Sequence, residues 1–360
     1  MIRLKHNNDT NMINLKQQKI INIVLKNKEI SSSGIFKELV GMGEKTSLIT
    51  IKRLLSKLVA LKFLNINGGG RSVVYSINNK GRIFLEIDAK EYCSFDLNER
   101  YGLTKYNFDL FASFKESIFS IDEVERLKKI NQEYKKRVKN LSLIVQKKEL
   151  ERFIIELSWK SSKIEGNTYT LIDTEKLLLE NKKADNKTEI ETQMILNHRN
   201  AFNFIYNNRE QFKTLTKENV LNLHTILTKD LGISSGIRKD MVGITSSTYK
   251  PLDNKYQIND ALESLIEVVL KIKNPYEKAF LSLLGISYIQ PFSDGNKRTS
   301  RFIANAILLA HNLLPLSYRN VSEDDYREAI LVFYEINSII PFKKIFLSEC
   351  AFSAENYSIG

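Results

Sequence analysis

The chain has 360 residues, enough for two or three domains, with 42% hydrophobic and 27% charged content, as expected of a soluble protein with a sizeable core. It contains no run of about 18 apolar residues, which excludes a helical membrane span. Its two distant cysteines, Cys93 and Cys350, exclude a disulfide framework or a cysteine-rich metal site and fit a reducing cytoplasm. The net charge of +12 is uneven: residues 1–90 hold sixteen Lys and Arg against six Asp and Glu, and the rest is nearly neutral. A basic surface confined to one domain points to a polyanionic partner.

The first residues, Met-Ile-Arg-Leu-Lys-His, lack the apolar core of a signal peptide. Residues 14–26 repeat apolar positions at helical spacing. Ser31, Ser32 and Ser33 offer an N-cap for a short second helix over Ile35–Leu39 that ends near Gly41 and Gly43. A third helix is expected from Lys45 or Thr46 to Leu61, with Leu48, Ile51, Leu54, Leu55 and Leu58 on one side and Lys52, Arg53 and Lys57 off it. Two β-prone runs, Phe63–Ile66 and Ser72–Ile77, flank Asn-Gly-Gly-Gly-Arg and read as a hairpin with Arg71 at its tip. Three helices and a hairpin in this order resemble a winged helix-turn-helix. The resemblance implies duplex DNA as partner of residues 1–88, with Thr46, Ser47, Thr50 and Arg53 near base edges and Lys45, Lys52 and Arg71 on phosphates. A module used only for protein contacts is the alternative, and the +10 charge favours DNA.

Residues 89–215 read as a helical linker region. The aromatic residues between Tyr101 and Phe119 are expected to pack, and residues 121–165 to form continuous helix with solvated charged faces. That helix ends in Ser161-Ser162-Lys163-Ile164-Glu165-Gly166; taken alone, this is a helix stopped by glycine. Leu221–Leu227 form an amphipathic helix, with His224 in a structural role. The run from Val242-Gly243-Ile244 to Tyr249-Lys250-Pro251 is β-prone.

Residues 290–301, Gln-Pro-Phe-Ser-Asp-Gly-Asn-Lys-Arg-Thr-Ser-Arg, carry the strongest functional signal. Asp294 is an oxygen ligand for a hard cation such as Mg2+. Gly295 and Asn296 favour a turn whose N–H groups converge on an anion. Lys297, Arg298 and Arg301 add fixed positive charge, and a helix starts there, where phosphate binds well. A polar helix-capping loop would account for Asp-Gly-Asn but not for three added cations.

This stretch resembles the signature of the Fic family, His-x-Phe-x-Asp/Glu-Gly-Asn-Gly/Lys-Arg-x-x-Arg, at every position but the first, where Gln290 stands for the catalytic histidine. The resemblance implies a mainly α fold: an all-helical core over residues 216–350, with a small β-hairpin flap (Val242, Gly243, Ile244, Tyr249), a tail over 351–360 and the winged module in front. It implies transfer of AMP from ATP, with magnesium, to a protein hydroxyl. Asp294 would hold the metal, Gly295, Asn296, Lys297, Arg298 and Arg301 the phosphates, and Phe292 would anchor the loop. It also implies that Ser161, Glu165 and Gly166 are an inhibitory motif in which Glu165 pairs with Arg301.

Gln290 leaves three readings: an inactive or weakened nucleotide-binding regulator of the DNA-binding module, an active transferase with another base, or an enzyme whose histidine has been substituted. The target, including the chain itself, pairing of two copies, and transfer of phosphocholine or phosphate in place of AMP also stay open.

Overall fold

The computed structural model describes residues 13–359. The amino-terminal segment compared above with a signal peptide, His6, and the ends of the 1–88 and 351–360 segments lie outside them.

The fold is mainly α. Helix α1 (Leu15–Asn27) starts at a capping box made by Asn14 and Gln17 and buries Ile20, Ile21 and Val24. Strand β1 (Glu29–Ile30) follows, then α2 (Ser32–Gly41), whose Ser31 cap accepts from Gly34 N–H at 3.2 Å. Helix α3 (Leu48–Ala60) starts later than Lys45, because the Ser47 hydroxyl takes the cap position and accepts from Thr50 N–H. Strands β2 (Leu64–Asn67) and β3 (Val74–Ile77) pair antiparallel with Asn67 opposite Val74. β1 joins the free side of β3, so the sheet order is β1-β3-β2. A two-residue strand is too short to display a period, and only its pairing reveals it.

The apolar cluster of this basic unit runs past residue 88. It takes in Leu85 and Tyr92, the latter on α5 (Ala89–Ser94), which follows α4 (Asn79–Ile83). It also takes in Val332 and Ile336 of α14 (Glu323–Ile336), far along the chain.

The rest is helical. Residues 121–165 are two helices: α6 (Ile121–Lys139) stops at Asn140, and α7 (Leu143–Ile164) restarts on a Ser142 cap that accepts from Val145 N–H. The expected continuous helix is broken because capping by Ser142 starts a new one. Helices α8 (Leu171–Glu180), α9 (Glu189–Asn207), α10 (Lys217–Thr228) and α11 (Lys255–Lys271) pack about a central pair, α12 (Pro275–Ile289) and α13 (Asn296–Ala310), whose residues are almost all buried. Helix α15 (Ile340–Asn356) runs through most of the expected tail, and Tyr357 is fully buried beyond it, so residues 351–359 pack as part of the body.

Residues 239–249 form no strand, in contrast to the expected flap hairpin. Their polar groups bond elsewhere: Ser246 is left-handed (φ 61°), Ser247 N–H turns back to Ile244 O, and Lys250 bridges in parallel to Lys105. β-propensity is overridden when a segment's backbone groups find partners outside a sheet.

Gly102 is where the linker crosses α14. A Cβ there would sit 2.8 Å from Glu335 O and 2.7 Å from both Glu335 Cβ and the Tyr92 hydroxyl. Gly102→Ala is expected to destabilise the protein by about 1–3 kcal/mol, as overpacking does, measured as a lowered urea midpoint.

Candidate active site

Helix α12 ends at Ile289, and Gln290 caps it in the left-handed region (φ 53°, ψ 57°), its N–H bonding Ile286 O at 3.1 Å. The chain then loops through 291–295 into α13. Phe292 is fully buried and stacks on the His224 ring, with centroids 3.7 Å apart. Asn296 holds the loop together: Oδ1 accepts from Phe292 N–H, and Nδ2 donates to Phe292 O and Gln290 Oε1, each at 2.9 Å. Gly295 has φ 81°, which favours glycine, and a Cβ on it would press on Thr228 Cγ2 at 3.0 Å.

No side chain caps α13. The N–H groups of its first turn therefore have no capping side chain among the described residues, and they lie at the positive end of the helix dipole. Asp294 is 67% exposed at this end and accepts from Arg298 Nη2 at 2.9 Å. Arg298 Nη1, Thr299 Oγ1 and Arg301 Nη1 are buried without hydrogen-bond partners among the described residues. Orphaned donors at an uncapped helix N-terminus suit a polyphosphate, and an exposed carboxylate beside them suits its hard cation.

Arg301 has no exposed surface. Its Nε donates to Ser161 Oγ at 3.0 Å, and its Nη2 donates to Ser161 O at 2.9 Å and Glu165 Oε1 at 2.8 Å. Tyr326 lies beneath the guanidinium, 5.3 Å from ring centroid to Cζ. Lys297 Nζ is 3.1 Å from Glu165 Oε2. Burial pushes the Glu165 carboxyl up, but Arg301 and Lys297 outweigh it and hold the group down at about 2. Gly166 (φ 92°) lets the chain turn away directly after Glu165. His198, buried on α9, supports this helix end: Nδ1 lies 2.7 Å from Ser162 Oγ, Nε2 lies 3.5 Å from Ser161 Oγ, and the ring stacks on Phe302.

Gln290 is nearly buried. Its Nε2 donates to Ser287 O at 2.6 Å and faces the Tyr334 hydroxyl at 3.4 Å. The loop over 236–252 is tied to this point by Arg238, whose N–H bonds Pro291 O at 3.0 Å and whose Nε donates to Gln290 O at 2.7 Å. Val242 and Ile244 are half-buried along it, and Gly243 is exposed. Tyr249 is a core residue: it stacks on Tyr288 and donates its hydroxyl to Tyr288 O at 2.9 Å.

The residues expected at one place therefore meet there: Gln290, Phe292, Asp294 to Arg298, Arg301, Ser161, Glu165 and Gly166. In the basic unit, Lys45, Lys52, Arg53 and Arg71 are exposed. The Ser47 and Thr50 hydroxyls lie 3.0 Å apart, bonded to each other at the start of α3. His198, Ser162 and Tyr334 escaped sequence reading because each is an ordinary residue on an ordinary helix. Arg238 stood in view after Gly236, but no local pattern marks it as the tie to Gln290.

Burial pushes His224 down to about 4 and His198 well below its usual value. Unfolding returns both to the ordinary histidine range, so the unfolded chain binds more protons between about pH 4 and pH 6.5. The histidine contribution to stability is expected to be full above pH 6.5 and to be lost as the pH drops towards 4, His224 accounting for up to about 3 kcal/mol of it, while buried Glu349, pushed up to about 7, acts in the opposite sense over the same range. Equilibrium urea unfolding at pH 7, 5.5 and 4 measures this, and His224→Phe should flatten the dependence.

Residues 214–308, from the start of α10 through most of α13, match the Fic/DOC family model. Two curated relatives are the protein adenylyltransferase Fic of Nematostella vectensis, 28% identical over 174 residues (47% of this chain, 41% of the relative), and that of Aedes aegypti, 26% identical over 219 residues (59% and 43%). The chain thus spans less than half the length of each. Among solved structures, Fic-1 from C. elegans aligns with TM-score 0.56 at 18% identity, covering 66% of this chain and 72% of that one. A Fic domain containing signaling protein from Bacteroides thetaiotaomicron aligns with TM-score 0.53 at 20% identity, covering 64% and 94%. At such identities the likeness is one of fold. The chain carries a Fic/DOC family domain over residues 214–308.

Proposed function

We propose that the loop from Gln290 to Arg301 binds ATP with magnesium in the Fic manner, in a protein whose AMP-transfer chemistry is impaired by Gln290 and restrained by Glu165. The observation that carries this reading is the meeting of Glu165, Lys297 and Arg301 beside the uncapped N-terminus of α13. ATP would supply the adenylyl group and pyrophosphate as the leaving group. The N–H groups of α13 and Arg298 would hold phosphate oxygens, and Asp294 the magnesium ion. Arg301 would add a terminal phosphate contact once it leaves Glu165.

In the curated relatives the name is protein adenylyltransferase; carried to this chain, the acceptor is a protein hydroxyl. Such an acceptor needs its proton removed. Gln290 cannot do this, and loss of a general base costs about 10²–10⁴-fold. Its neighbours among the described residues offer no replacement: burial pushes the Tyr334 phenol far up, and His224 lies under Phe292 with Nε2 bonded at Asp294 O.

The basic N-terminal unit is read as a winged helix that binds duplex DNA. Support comes from its helix and strand order, the exposed Lys52 and Arg53 on α3, and Arg71 at the hairpin tip. On this reading the chain is a DNA-binding regulator with a nucleotide site.

Glu165→Gly is expected to tighten Mg-ATP binding, read by calorimetry, yet to give little AMP labelling. Glu165→Gly with Gln290→His is expected to label protein, detected by mass spectrometry as an added AMP. Strong labelling by the single variant would mean that another base works; no nucleotide binding by either variant would remove the nucleotide-site reading.

DNA affinity should fall steeply with salt. Arg71→Ala should weaken binding to all duplexes, while Arg53→Ala should also blur sequence preference. A mobility-shift titration across salt checks this, and salt-insensitive or absent binding would favour a protein-contact module.

A further inference from the structure

Helix α14 touches three parts of the molecule within three successive residues. Tyr334 faces Gln290 in the candidate site. Ile336, with Val332, completes the apolar core of the basic unit. Between them, Glu335 is fully buried and gathers donors from three separate segments.

Its Oε2 accepts from the Tyr92 hydroxyl at 2.7 Å. Its Oε1 accepts from Ser247 Oγ at 2.7 Å, Thr248 N–H at 3.2 Å and Arg100 Nη1 at 3.2 Å. Arg100 also donates to Ser246 O at 2.8 Å and to Cys93 O at 3.0 Å. Leu103 N–H closes the set on the Glu335 carbonyl. A buried carboxyl group is costly unless its lone pairs find donors, and here donors reach it from both sides at once. Burial first, then Glu335, raises the Tyr92 phenol well above its ordinary value, so it stays a donor.

The 238–248 loop is therefore strung between two anchors. One is Arg238 on the backbone of Gln290 and Pro291. The other is a carboxylate that the loop shares with α5 of the basic unit. The middle of the loop is largely exposed, Met241 at 78%. We propose that Glu335 is a positioning residue for this loop, and that the loop's order depends on the Tyr92 hydroxyl and hence on the basic unit. That the loop faces an acceptor protein rests on the function proposed above; the coupling through Glu335 does not.

The test is hydrogen–deuterium exchange on the full-length chain, unaltered and with Tyr92→Phe or Glu335→Gln. Tyr92→Phe removes one hydroxyl and keeps the ring in its core. Exchange at the amides of Ser247, Thr248 and Tyr249 is expected to rise at least about fivefold, as for loss of one buried hydrogen bond, while amides of α1, α2 and α3 keep their rates. Unchanged exchange at 247–249 in both variants would overturn the proposal, as would equal acceleration through α1–α3, which would signal loosening of the whole unit. Mixed-sequence duplex DNA should change exchange at 247–249 in the unaltered protein and much less in Tyr92→Phe. DNA that binds by mobility shift and leaves 247–249 unchanged would overturn the dependence on the basic unit. Absence of DNA binding would instead count against the DNA-binding reading, with the Tyr92→Phe comparison still deciding the coupling.

Discussion

Arg301 is a permanent positive charge with no solvent contact, and the arrangement of the helical body follows from the need to surround it. Removing a charged group from water costs several kcal/mol, which only an opposite charge and filled donors offset. Glu165 at the end of α7 supplies the charge, and it and Ser161 fill Nε and Nη2, leaving Nη1 without a partner among the described residues, while Tyr326 on α14 lies against the guanidinium face. One arginine on α13 thus fixes two other helices relative to the signature loop. On the proposed function the pair would be a bistable element, because the same guanidinium cannot serve Glu165 and a phosphate equally well. A ligand that draws Arg301 away must leave Glu165 with Lys297 alone. The low position of the Glu165 carboxyl, at about 2, means that the contact is charged throughout the neutral range and does not open by protonation there.

The loop between α12 and α13 is shaped by a different economy of contacts. Asn296 uses both of its amide donors and its carbonyl oxygen to hold the loop, and Phe292 on His224 fixes the loop to α10. The groups proposed to hold phosphate are thereby preorganised before any ligand arrives. Gln290 fits this frame as a hydrogen-bonding side chain, donating to Ser287 and accepting from Asn296. An amide can complete such a network, but it cannot take up a proton as an imidazole does. The frame and the chemistry are separable at this one residue.

Helix α14 joins the two halves of the molecule. Its 332, 335 and 336 positions belong to the basic unit and its attachment, while 326 and 334 reach the candidate site. Neighbouring positions on one rigid helix move together, so a shift of the basic unit cannot be isolated from the site. The positive charge is concentrated in a unit whose core includes Val332 and Ile336 of α14, and this geometry gives linkage with the proposed nucleotide site a physical route.

The helices with strong period and clear caps were legible from sequence, as were the hairpin at Gly68–Ser72 and the twelve-residue stretch at 290–301 that joins a loop to a helix start. Local composition dictates each of these: caps, glycines and charges act on their own neighbours within a few residues. The pairing of Glu165 with Arg301 was legible only through a family resemblance, since 136 residues separate them. The break at Ser142 was missed because a charged helical stretch hides a cap, and the flap hairpin was expected because β-prone residues leave their partners unstated. What only the tertiary structure decided were the contacts made at long range by residues with no pattern of their own. His198 beneath the two serines, Arg238 on the Gln290 carbonyl and Glu335 among Tyr92, Arg100, Ser247 and Thr248 are of this kind. A single polar residue on an amphipathic helix looks alike whether it meets water or a buried partner, and only the packing of distant segments distinguishes the two.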